Sequence, residues 1–223
     1  MNPTLLQRFQ AVVDRISTLS VSKKPTLLAV SKKHPADSIR ALYQLGQRRF
    51  GESYAQEAIE KMAHLRGLDI EWHFIGPIQS NKTRVIAEHF DWVQSVDRLK
   101  VLERLNRQRP VGLRPLHVLL QLKVGGEASK SGASAADIYI MYQQARKMSG
   151  IVVKGLMCIP PPADDFKIQC SYFEQARLVF DEIKASDPNF EVLSMGMSGD
   201  MEAAAVSGST MVRIGTDIFG ARA

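Results

Sequence analysis

A lysine stands directly after a short apolar run near the start of the chain, in the sequence TLLAVSKK at residues 26–33. Because side chains alternate along a strand, Lys32 is expected to point to the same side as Leu28 and Val30, while Lys33 points away. An amine held among apolar side chains loses hydration, which favours its neutral, nucleophilic form. Schiff-base formation with a carbonyl compound needs such an amine. The alternative is a structural lysine that extends its ammonium group into water.

Two later segments have the composition of a phosphate site. In SMGMSGDMEAA, Ser198 and Gly199 precede an expected helix start, and in VRIGTDIFG, Gly215 and Thr216 follow an apolar run. Unpaired N–H groups at a helix start, a serine hydroxyl and a close backbone approach at glycine would together hold a phosphate dianion. The alternative is ordinary capping and turn formation, because Ser, Gly and Asp are common at such junctions.

Arg213 adds a third functional group. Alternation places Met211 and Arg213 on one face of an expected strand, with Val212 and Ile214 on the other. A guanidinium inside the protein needs an acceptor. Either a carboxylate from another strand or a heteroaromatic nitrogen of a ligand could accept its hydrogen bond. An amine, a phosphate site and a donor to a ring nitrogen are the three groups that would bind pyridoxal 5′-phosphate (PLP).

These residues belong to a chain in which strand patterns alternate with helical patterns. Short apolar runs predict eight strands: Thr26–Val30, Arg49–Gly51, Glu71–Ile75, Trp92–Val96, Leu116–Val124, Val152–Cys158, Val192–Met197 and Met211–Gly215. Helical patterns lie between them, at 37–45, 54–65, 98–107, 135–148 and 168–184, with weaker ones after Asn81 and Met201. This alternation predicts an α/β fold, a (β/α)8 TIM barrel, with an open doubly wound sheet as the alternative.

An additional helix is expected before the first strand. It should begin at Asn2 with Pro3 in its first turn, and the apolar residues that follow recur at helical spacing. No linker or shift in composition divides the chain, which predicts a single barrel domain over residues 1–223. In a barrel, Lys32 and Ser198 would meet at the same end, because both follow strands.

Composition narrows the classes of function. The chain has 223 residues, 45% hydrophobic and 23% charged, which suits a globular protein with a substantial core. Its net charge is +6, but the basic residues are spread along the chain, so nucleic-acid binding is disfavoured, and the basic balance suits a small anionic ligand equally well. Two cysteines without paired spacing and five histidines without a ligand pattern argue against a disulfide and a metal site. No secretory signal or membrane-spanning run is recognised, so a cytoplasmic location is expected.

The chain resembles the PLP-binding homeostasis protein family, a single-domain relative of the amino-terminal barrel of alanine racemase. The resemblance rests on the motifs LLAVSK, FGESYAQE, EWHFIGPIQSNK, SKSG, GLMCIP, LSMGMSGDMEAA and GSTMVRIGTDIFGAR. They cover nearly the whole chain after the first helix, and as a set they are highly specific. The resemblance implies PLP fold type III.

The resemblance also implies roles for the residues that we singled out above. Lys32 would form the internal aldimine with PLP, and Arg213 would lie by the pyridine nitrogen. Ser198, Gly215 and Thr216 would hold the phosphate. These roles agree with the placement expected from strand alternation.

One position departs from the family pattern. The family usually has Asn in a GENY motif where this chain has GESY, so Ser53 replaces a side chain expected to line the cofactor pocket. A hydroxyl is shorter and lacks the paired donor and acceptor of the amide, so water would fill part of the gap. We expect PLP binding to survive this change.

Other polar residues are less informative. In WHFIGPIQSNK, the resemblance suggests that His73, Gly76, Asn81 and Lys82 form a pocket rim, while the alternative is a turn followed by an Asn-capped helix. We assign His73 no role. Lys130 lies in GGEASKSG, which does not have the P-loop spacing, so it is expected to be a mobile surface lysine.

Three functions are compatible with these residues: a carrier or buffer of PLP in PLP homeostasis, a PLP-dependent amino-acid racemase, and a phosphate-ligand barrel without Schiff-base chemistry. Racemisation needs an acid and a base on opposite faces of the substrate, and Lys32 serves one face. In alanine racemase a tyrosine from an additional domain serves the other face, and this chain ends at Ala223, after the eighth strand. Tyr54 is the candidate that keeps the racemase alternative open. We therefore expect a carrier without substantial turnover, rather than an enzyme.

The expected partners follow from this interpretation. PLP is the ligand, and apo forms of PLP-dependent enzymes are the expected recipients. We expect a monomer with neither nucleic acid nor membrane as a partner.

Overall fold

The computed structural model describes residues 3–126 and 131–220, and eight parallel strands form a closed barrel in chain order. The strands are β1 Thr26–Val30, β2 Arg49–Glu52, β3 Glu71–Phe74, β4 Trp92–Val96, β5 Leu116–Gln121, β6 Ile151–Met157, β7 Val192–Ser194 and β8 Met211–Ile214. The predicted (β/α)8 barrel is confirmed, and the open-sheet alternative is wrong because β1 pairs with both β2 and β8. Lys130 lies outside the described residues.

Helices follow the strands around the outside of the barrel. They are α1 Leu5–Ser17, α2 Ala36–Gln44, α3 Ala55–His64, α4 Thr83–His89, α5 Leu99–Gln108, α6 Ala135–Ala145, α7 Phe166–Lys184, α8 Met201–Val206 and α9 Thr216–Phe219. A 3₁₀ turn, Ser80–Lys82, precedes α4. The described residues contain no helix that is both long and apolar enough to cross a membrane.

The core is divided by the barrel wall. Residues facing outward from the strands, such as Phe50 and Val118, pack with helical side chains in one large buried cluster. A smaller cluster, formed by Trp92, Leu119 and Met157, is separate from it. This division follows from the two-residue period of strands, which sends alternate side chains to the barrel interior and to the surrounding helices.

The additional N-terminal helix is present, but it begins later than expected. The structure places Pro3 before the helix and Thr4 at its N-cap. The Thr4 hydroxyl accepts a hydrogen bond from the Gln7 N–H at 3.3 Å, and the Thr4 N–H donates to Gln7 Oε1 at 2.8 Å. This capping box satisfies the backbone N–H groups of Thr4 and Gln7 and so fixes the start of the helix there.

Two strands, β5 and β7, end three residues earlier than the apolar runs that predicted them. After β5, the Leu122 N–H still donates to the Met157 carbonyl of β6, but the Lys123 N–H donates to the Ala133 carbonyl, so the backbone leaves the sheet at Lys123. After β7, Gly196 adopts a φ of 96°, which turns the chain away from the strand direction. In both cases the residues beyond the strand belong to a loop, although their side chains are apolar.

Candidate functional site

The predicted site residues surround one end of the barrel, which we call the mouth: the carboxyl ends of the eight strands. Lys32 follows β1, Ser53 follows β2, Ser198 follows β7, and Gly215 and Thr216 follow β8. Since β8 pairs with β1 and with β7, the lysine and the predicted phosphate residues come from neighbouring strands. Loops at this end of such barrels carry the functional groups of the fold.

A buried ion pair fixes the segment that carries Lys32. Lys61 of α3 donates to the Ser31 carbonyl at 2.9 Å and to Glu52 Oε1 at 2.8 Å, and the Ser31 hydroxyl donates to the same carboxylate oxygen at 2.6 Å. The Glu52 side chain is fully buried, and the side chain of Lys61 is 8% exposed. Burial raises the pKa of Glu52, while the hydrogen bond from Lys61 opposes that rise. This cluster ties β1, β2 and α3 together directly beside Lys32.

Lys33 has a different environment from Lys32. Its backbone φ is 64°, a left-handed conformation that is uncommon for a lysine, and its N–H donates to Glu57 Oε1 at 2.6 Å. Lys33 is exposed, and its ammonium lies 6.0 Å from the centre of the Tyr54 ring. Lys32 is half-buried. The backbone therefore turns at Lys33, and the Glu57 carboxylate stabilises this turn by accepting the Lys33 N–H.

Ser53 lies where the ends of β2 and β3 are in close contact. A Cβ atom at Gly76 would come within 2.2 Å of the Ser53 carbonyl oxygen, so only glycine fits at position 76 without movement of the backbone. Ser53 is half-buried at this point. Gly76 thus brings the loop after β3 against Ser53, which is a packing role that the sequence motif did not reveal.

The two loops predicted to hold phosphate are joined by a residue from α1. Arg15 contacts both oxygens of Glu202 in α8, at 2.5 and 2.6 Å, and Asp217 in α9 at 3.1 Å. Its guanidinium also donates to the Ser198 carbonyl at 3.1 Å. The pKa of Glu202 is lowered, chiefly by the hydrogen bond from Arg15. The first helix therefore fixes the position of the loop after β7 relative to the segment after β8, which contains Thr216.

Arg213 points into the barrel, as strand alternation predicted. It is 4% exposed, and its Nη1 donates to the Ser194 carbonyl at 2.7 Å and to the Ser194 hydroxyl at 2.9 Å. Its Nη2 donates to the Cys158 carbonyl at 2.9 Å. Burial lowers the pKa of Arg213, but a guanidinium starts from so high a value that it stays charged. The carboxylate considered as its partner is not among these acceptors, because backbone carbonyls at the ends of β6 and β7 take that place.

His73 is a residue that sequence reasoning misplaced. It is fully buried in β3 and is not at a pocket rim, and its Nδ1 lies 2.9 Å from Gln94 Nε2. The Asn-capped helix is also wrong, because Asn81 lies within the 3₁₀ turn, and α4 starts after Lys82 without a side-chain cap. Lys82 is exposed. The strand predicted at Glu71–Ile75 contained His73, and alternation from Glu71 could have indicated its inward direction.

Two cavities open at the mouth. The larger has a volume of about 520 Å³ and lies between the ends of β3 and β6, where it is lined in part by Ile75, Ser95, Arg98 and Gln121. The other has a volume of about 320 Å³ and extends from Pro160 to the loop after β7, including Gly199 and Asp200. Both share Ile159 as a lining residue. The smaller cavity therefore lies beside the predicted phosphate loop, while the larger one lies on the opposite side of Ile159 from it.

The described residues contain no group of His, Cys, Asp and Glu side chains arranged to hold a metal ion. Both cysteines are free thiols, and burial raises the pKa of Cys158 to about 12.

Comparison with known proteins gives consistent matches over nearly the full chain. The family model described as the alanine racemase N-terminal domain matches residues 5–223. The pyridoxal phosphate homeostasis protein of Vibrio alginolyticus is 50% identical over 200 residues, which cover 88% of this chain and 86% of that protein. The protein of the same name from Pseudomonas aeruginosa is 50% identical over 196 residues, covering 88% and 84%.

Solved structures agree with this assignment. PipY of Synechococcus elongatus, solved with PLP bound, is 38% identical and superposes with a TM-score of 0.86, covering 97% of this chain and all of PipY. An alanine racemase from Clostridium difficile, at 14% identity, shares the fold with a TM-score of 0.77, and this chain spans 57% of its length.

The fold and the residues at its mouth define an alanine racemase-like (β/α)8 barrel with a lysine at the end of its first strand. The chain belongs to the pyridoxal phosphate homeostasis protein family.

Proposed function

We propose that this chain is a PLP-binding protein of intracellular PLP homeostasis, which carries or buffers PLP as a Schiff base on Lys32. The observation that carries the proposal is the arrangement of Lys32, the loops at Ser198 and Gly215, and the buried Arg213 on the adjacent strands β7, β8 and β1. An amine, a phosphate-binding loop and a fixed cation match the three functional groups of PLP. The relatives named for PLP homeostasis and the PLP-bound PipY structure support the same ligand.

Each residue has a distinct part in the proposal. The aldehyde of bound PLP condenses with an amine and releases water, and Lys32 supplies that amine. Ser198, Gly215 and Thr216 hold the phosphate through a hydroxyl and backbone N–H groups. The fit at Gly215 is tight, since a Cβ there would lie 3.3 Å from the Cβ and carbonyl oxygen of Val30. A larger residue would therefore push the loop away from β1.

Arg213 and Ser53 complete the proposed pocket. Both Nη groups of Arg213 are occupied by protein oxygens, and Nε makes no hydrogen bond to any described residue. Nη2 donates only to the Cys158 carbonyl, so Nε and the second Nη2 proton are the donors left for the ring nitrogen of PLP. Ser53 lines the pocket at the end of β2, where its small side chain leaves room for water.

We propose binding without substantial turnover. A charged Arg213 beside the ring nitrogen disfavours ring protonation, which weakens PLP as an electron sink. Proton transfer on the face opposite Lys32 also needs a second group. Tyr54, the candidate for that group, is half-exposed and lies under the Lys33 ammonium. The relatives at about 50% identity are named for homeostasis, while the racemase at 14% identity supports the fold alone.

The remaining parts of the proposal concern context. We propose that the protein acts in the cytoplasm as a monomeric, single-domain barrel. Its proposed recipients are apo forms of PLP-dependent enzymes, with no part for nucleic acid or a membrane.

The site assignment is tested by reducing the PLP-loaded protein with borohydride and mapping the modified peptide by mass spectrometry. We expect the pyridoxyl group on Lys32, and its loss in Lys32→Ala, while the neighbouring Lys33→Ala variant retains it. Ser198→Ala should weaken PLP binding by about 1 to 3 kcal/mol if its hydroxyl is a buried partner of the phosphate. Modification of Lys82 or Lys130 with Lys32 unmodified would contradict the assignment.

The distinction between carrier and racemase needs a separate experiment. The PLP-loaded protein is incubated with L- and D-amino acids in deuterated water, and in parallel with an apo PLP-dependent enzyme. We expect transfer of PLP to the apo-enzyme and no rapid exchange at the α-carbon. Rapid exchange with inversion that disappears in Lys32→Ala would instead establish the racemase alternative.

A further inference from the structure

The interior of the barrel contains a continuous chain of polar side chains that ends at Arg213. Beginning from Arg213, successive contacts join Nη1 to the Ser194 hydroxyl at 2.9 Å, that hydroxyl to Gln94 Oε1 at 2.8 Å, and Gln94 Nε2 to His73 Nδ1 at 2.9 Å. His73 Nε2 then lies 2.9 Å from Glu71 Oε1. The contacts come from β8, β7, β4 and β3 and cross the barrel from the layer below the mouth to its amino end.

The direction of every hydrogen bond in this chain is determined by chemistry. A carboxylate can only accept, so a neutral His73 donates from Nε2 to Glu71 and accepts at Nδ1. A guanidinium can only donate, so the Ser194 oxygen accepts from Arg213, and the Ser194 proton goes to Gln94 Oε1. The Gln94 amide nitrogen therefore faces His73, whose Nδ1 must accept. The second amide proton of Gln94 has an acceptor in the Met211 sulfur at 3.3 Å. His73 then carries its proton on Nε2, from which it donates to the Glu71 carboxylate.

Burial and charge agree with this direction. Ser194, Gln94 and His73 are fully buried, and the His73 ring stacks on Trp92 at 5.3 Å between centres. Burial lowers the pKa of His73, which favours the neutral ring that the chain requires. For Glu71, burial alone would raise the pKa, but the hydrogen bond from His73 and the ion pair with Arg49 act against that rise and lower the pKa.

We propose that Ser194, Gln94, His73 and Glu71 are positioning residues for Arg213, which together hold its guanidinium in the orientation that leaves Nε and one Nη2 proton for the ring nitrogen of PLP. The inference rests on the proposed function. An apolar filling of the interior would pack as well, whereas a satisfied chain of polar groups fixes one orientation of a buried cation. This series of hydrogen bonds ends at the Glu71 carboxylate, so each bond is polarised in the same direction, toward Glu71.

Affinity and spectrum of the PLP adduct distinguish positioning from mere filling. We expect Ser194→Ala to raise the Kd for PLP about fivefold or more and to shift the visible band of the adduct, because Arg213 loses the hydroxyl that orients it. Ser194→Thr keeps the hydroxyl and should restore values close to those of the unmodified protein. The double variant Ser194→Ala/Gln94→Leu should lie within about twofold of the weaker single variant, because one break already interrupts the chain.

Glu71, at the end of the hydrogen-bonded series away from Arg213, allows a comparison with a matched control. Glu71→Gln should raise the Kd for PLP at least about twofold, although Glu71 does not contact Arg213. Asp91→Asn is the matched control, because Asp91 lies at the same end of the barrel and accepts from the Trp72 N–H at 2.8 Å without belonging to the chain. It removes the same charge and should leave the Kd unchanged. Melting of the PLP-free variants measures stability separately.

Three results would overturn the proposal. One is an unchanged Kd and spectrum in Ser194→Ala and Glu71→Gln, with only the melting temperature lowered. This result would show that the buried polar side chains contribute to stability alone and do not position Arg213. Another is an equal effect of Asp91→Asn and Glu71→Gln, which would identify an unspecific charge effect. A failure of the unmodified protein to form any PLP adduct would overturn the proposed function itself, and the positioning role with it, before any variant is compared.

Discussion

Replacing Lys61 with methionine removes the cation from the buried cluster beside Lys32. The Lys61 ammonium donates to the Ser31 carbonyl, Glu52 and Glu57, at 2.9, 2.8 and 2.5 Å. Methionine has a similar length but no donor, so the fully buried Glu52 carboxylate would keep the Ser31 hydroxyl as a partner and lose its counter-charge. Removal of one member of a buried ion pair costs about 3–5 kcal/mol, and we expect a loss of unfolding free energy in that range at pH 7.

The loss should depend on pH in a defined direction. Burial already raises the pKa of Glu52, and removal of Lys61 raises it further. At acid pH, where Glu52 is protonated in both proteins, the variant loses less stability. As the pH rises through the folded pKa of Glu52 in the unmodified protein, the variant retains a proton that the unmodified protein has released, and the difference between them grows.

Urea unfolding followed by circular dichroism measures both effects. Arg84→Met is a suitable control. The Arg84–Glu88 pair in α4 has the same four-residue spacing as the Lys61–Glu57 pair in α3, but Arg84 is exposed, and 3.9 Å separates the charged atoms. This substitution should cost no more than about 0.5 kcal/mol. The double variant Lys61→Met/Glu52→Gln should recover about 2 kcal/mol or more, since no buried charge is then left alone. A cost for Lys61→Met no larger than the control would refute the reasoning.

Three other changes have expected outcomes. Gly76→Ala should destabilise the fold by about 2 kcal/mol or more in urea unfolding, because its Cβ would overlap the Ser53 carbonyl oxygen, and an unchanged midpoint would contradict the packing described. In the native protein, thiol titration should detect Cys170 quickly and Cys158 only after unfolding, since Cys158 is buried with a pKa of about 12. Arg15→Met should lower PLP affinity measurably. Its loss of unfolding free energy should be only about 1 kcal/mol, because the ion pairs of Arg15 are partly exposed. Unchanged affinity would show that the loops keep their position without Arg15.

The sequence predicted the barrel because its signal is repeated. Seven of the eight predicted strands are followed by a helical pattern, so errors at single boundaries did not alter the architecture. The errors fall where apolar residues continue into a loop, as after Gln121 and Ser194. There the chain leaves the sheet because of backbone pairing and a glycine φ, and neither can be derived from hydrophobicity.

The site was predictable to the extent that it depends on alternation within one strand. Arg213 was expected to point inward, and it does. Its acceptors were not predictable, because they are a hydroxyl and carbonyls contributed by residues far away in the sequence, at Ser194 and Cys158. The same holds for His73 and Gln94, whose contact depends on the register between strands. A single sequence shows which residues face inward, but it does not show how strands are shifted relative to one another.

The position of Arg15 has a thermodynamic consequence. Because this residue of the first helix holds Glu202, Asp217 and the Ser198 carbonyl, docking of that helix and ordering of the loops after β7 and β8 are linked equilibria. A phosphate group bound by those loops must then favour the docked helix, and by reciprocity the docked helix must favour the phosphate group. Amide hydrogens of residues 5–17 would then exchange more slowly with solvent when the ligand is present, because ligand binding to the loops stabilises the docked helix through Arg15.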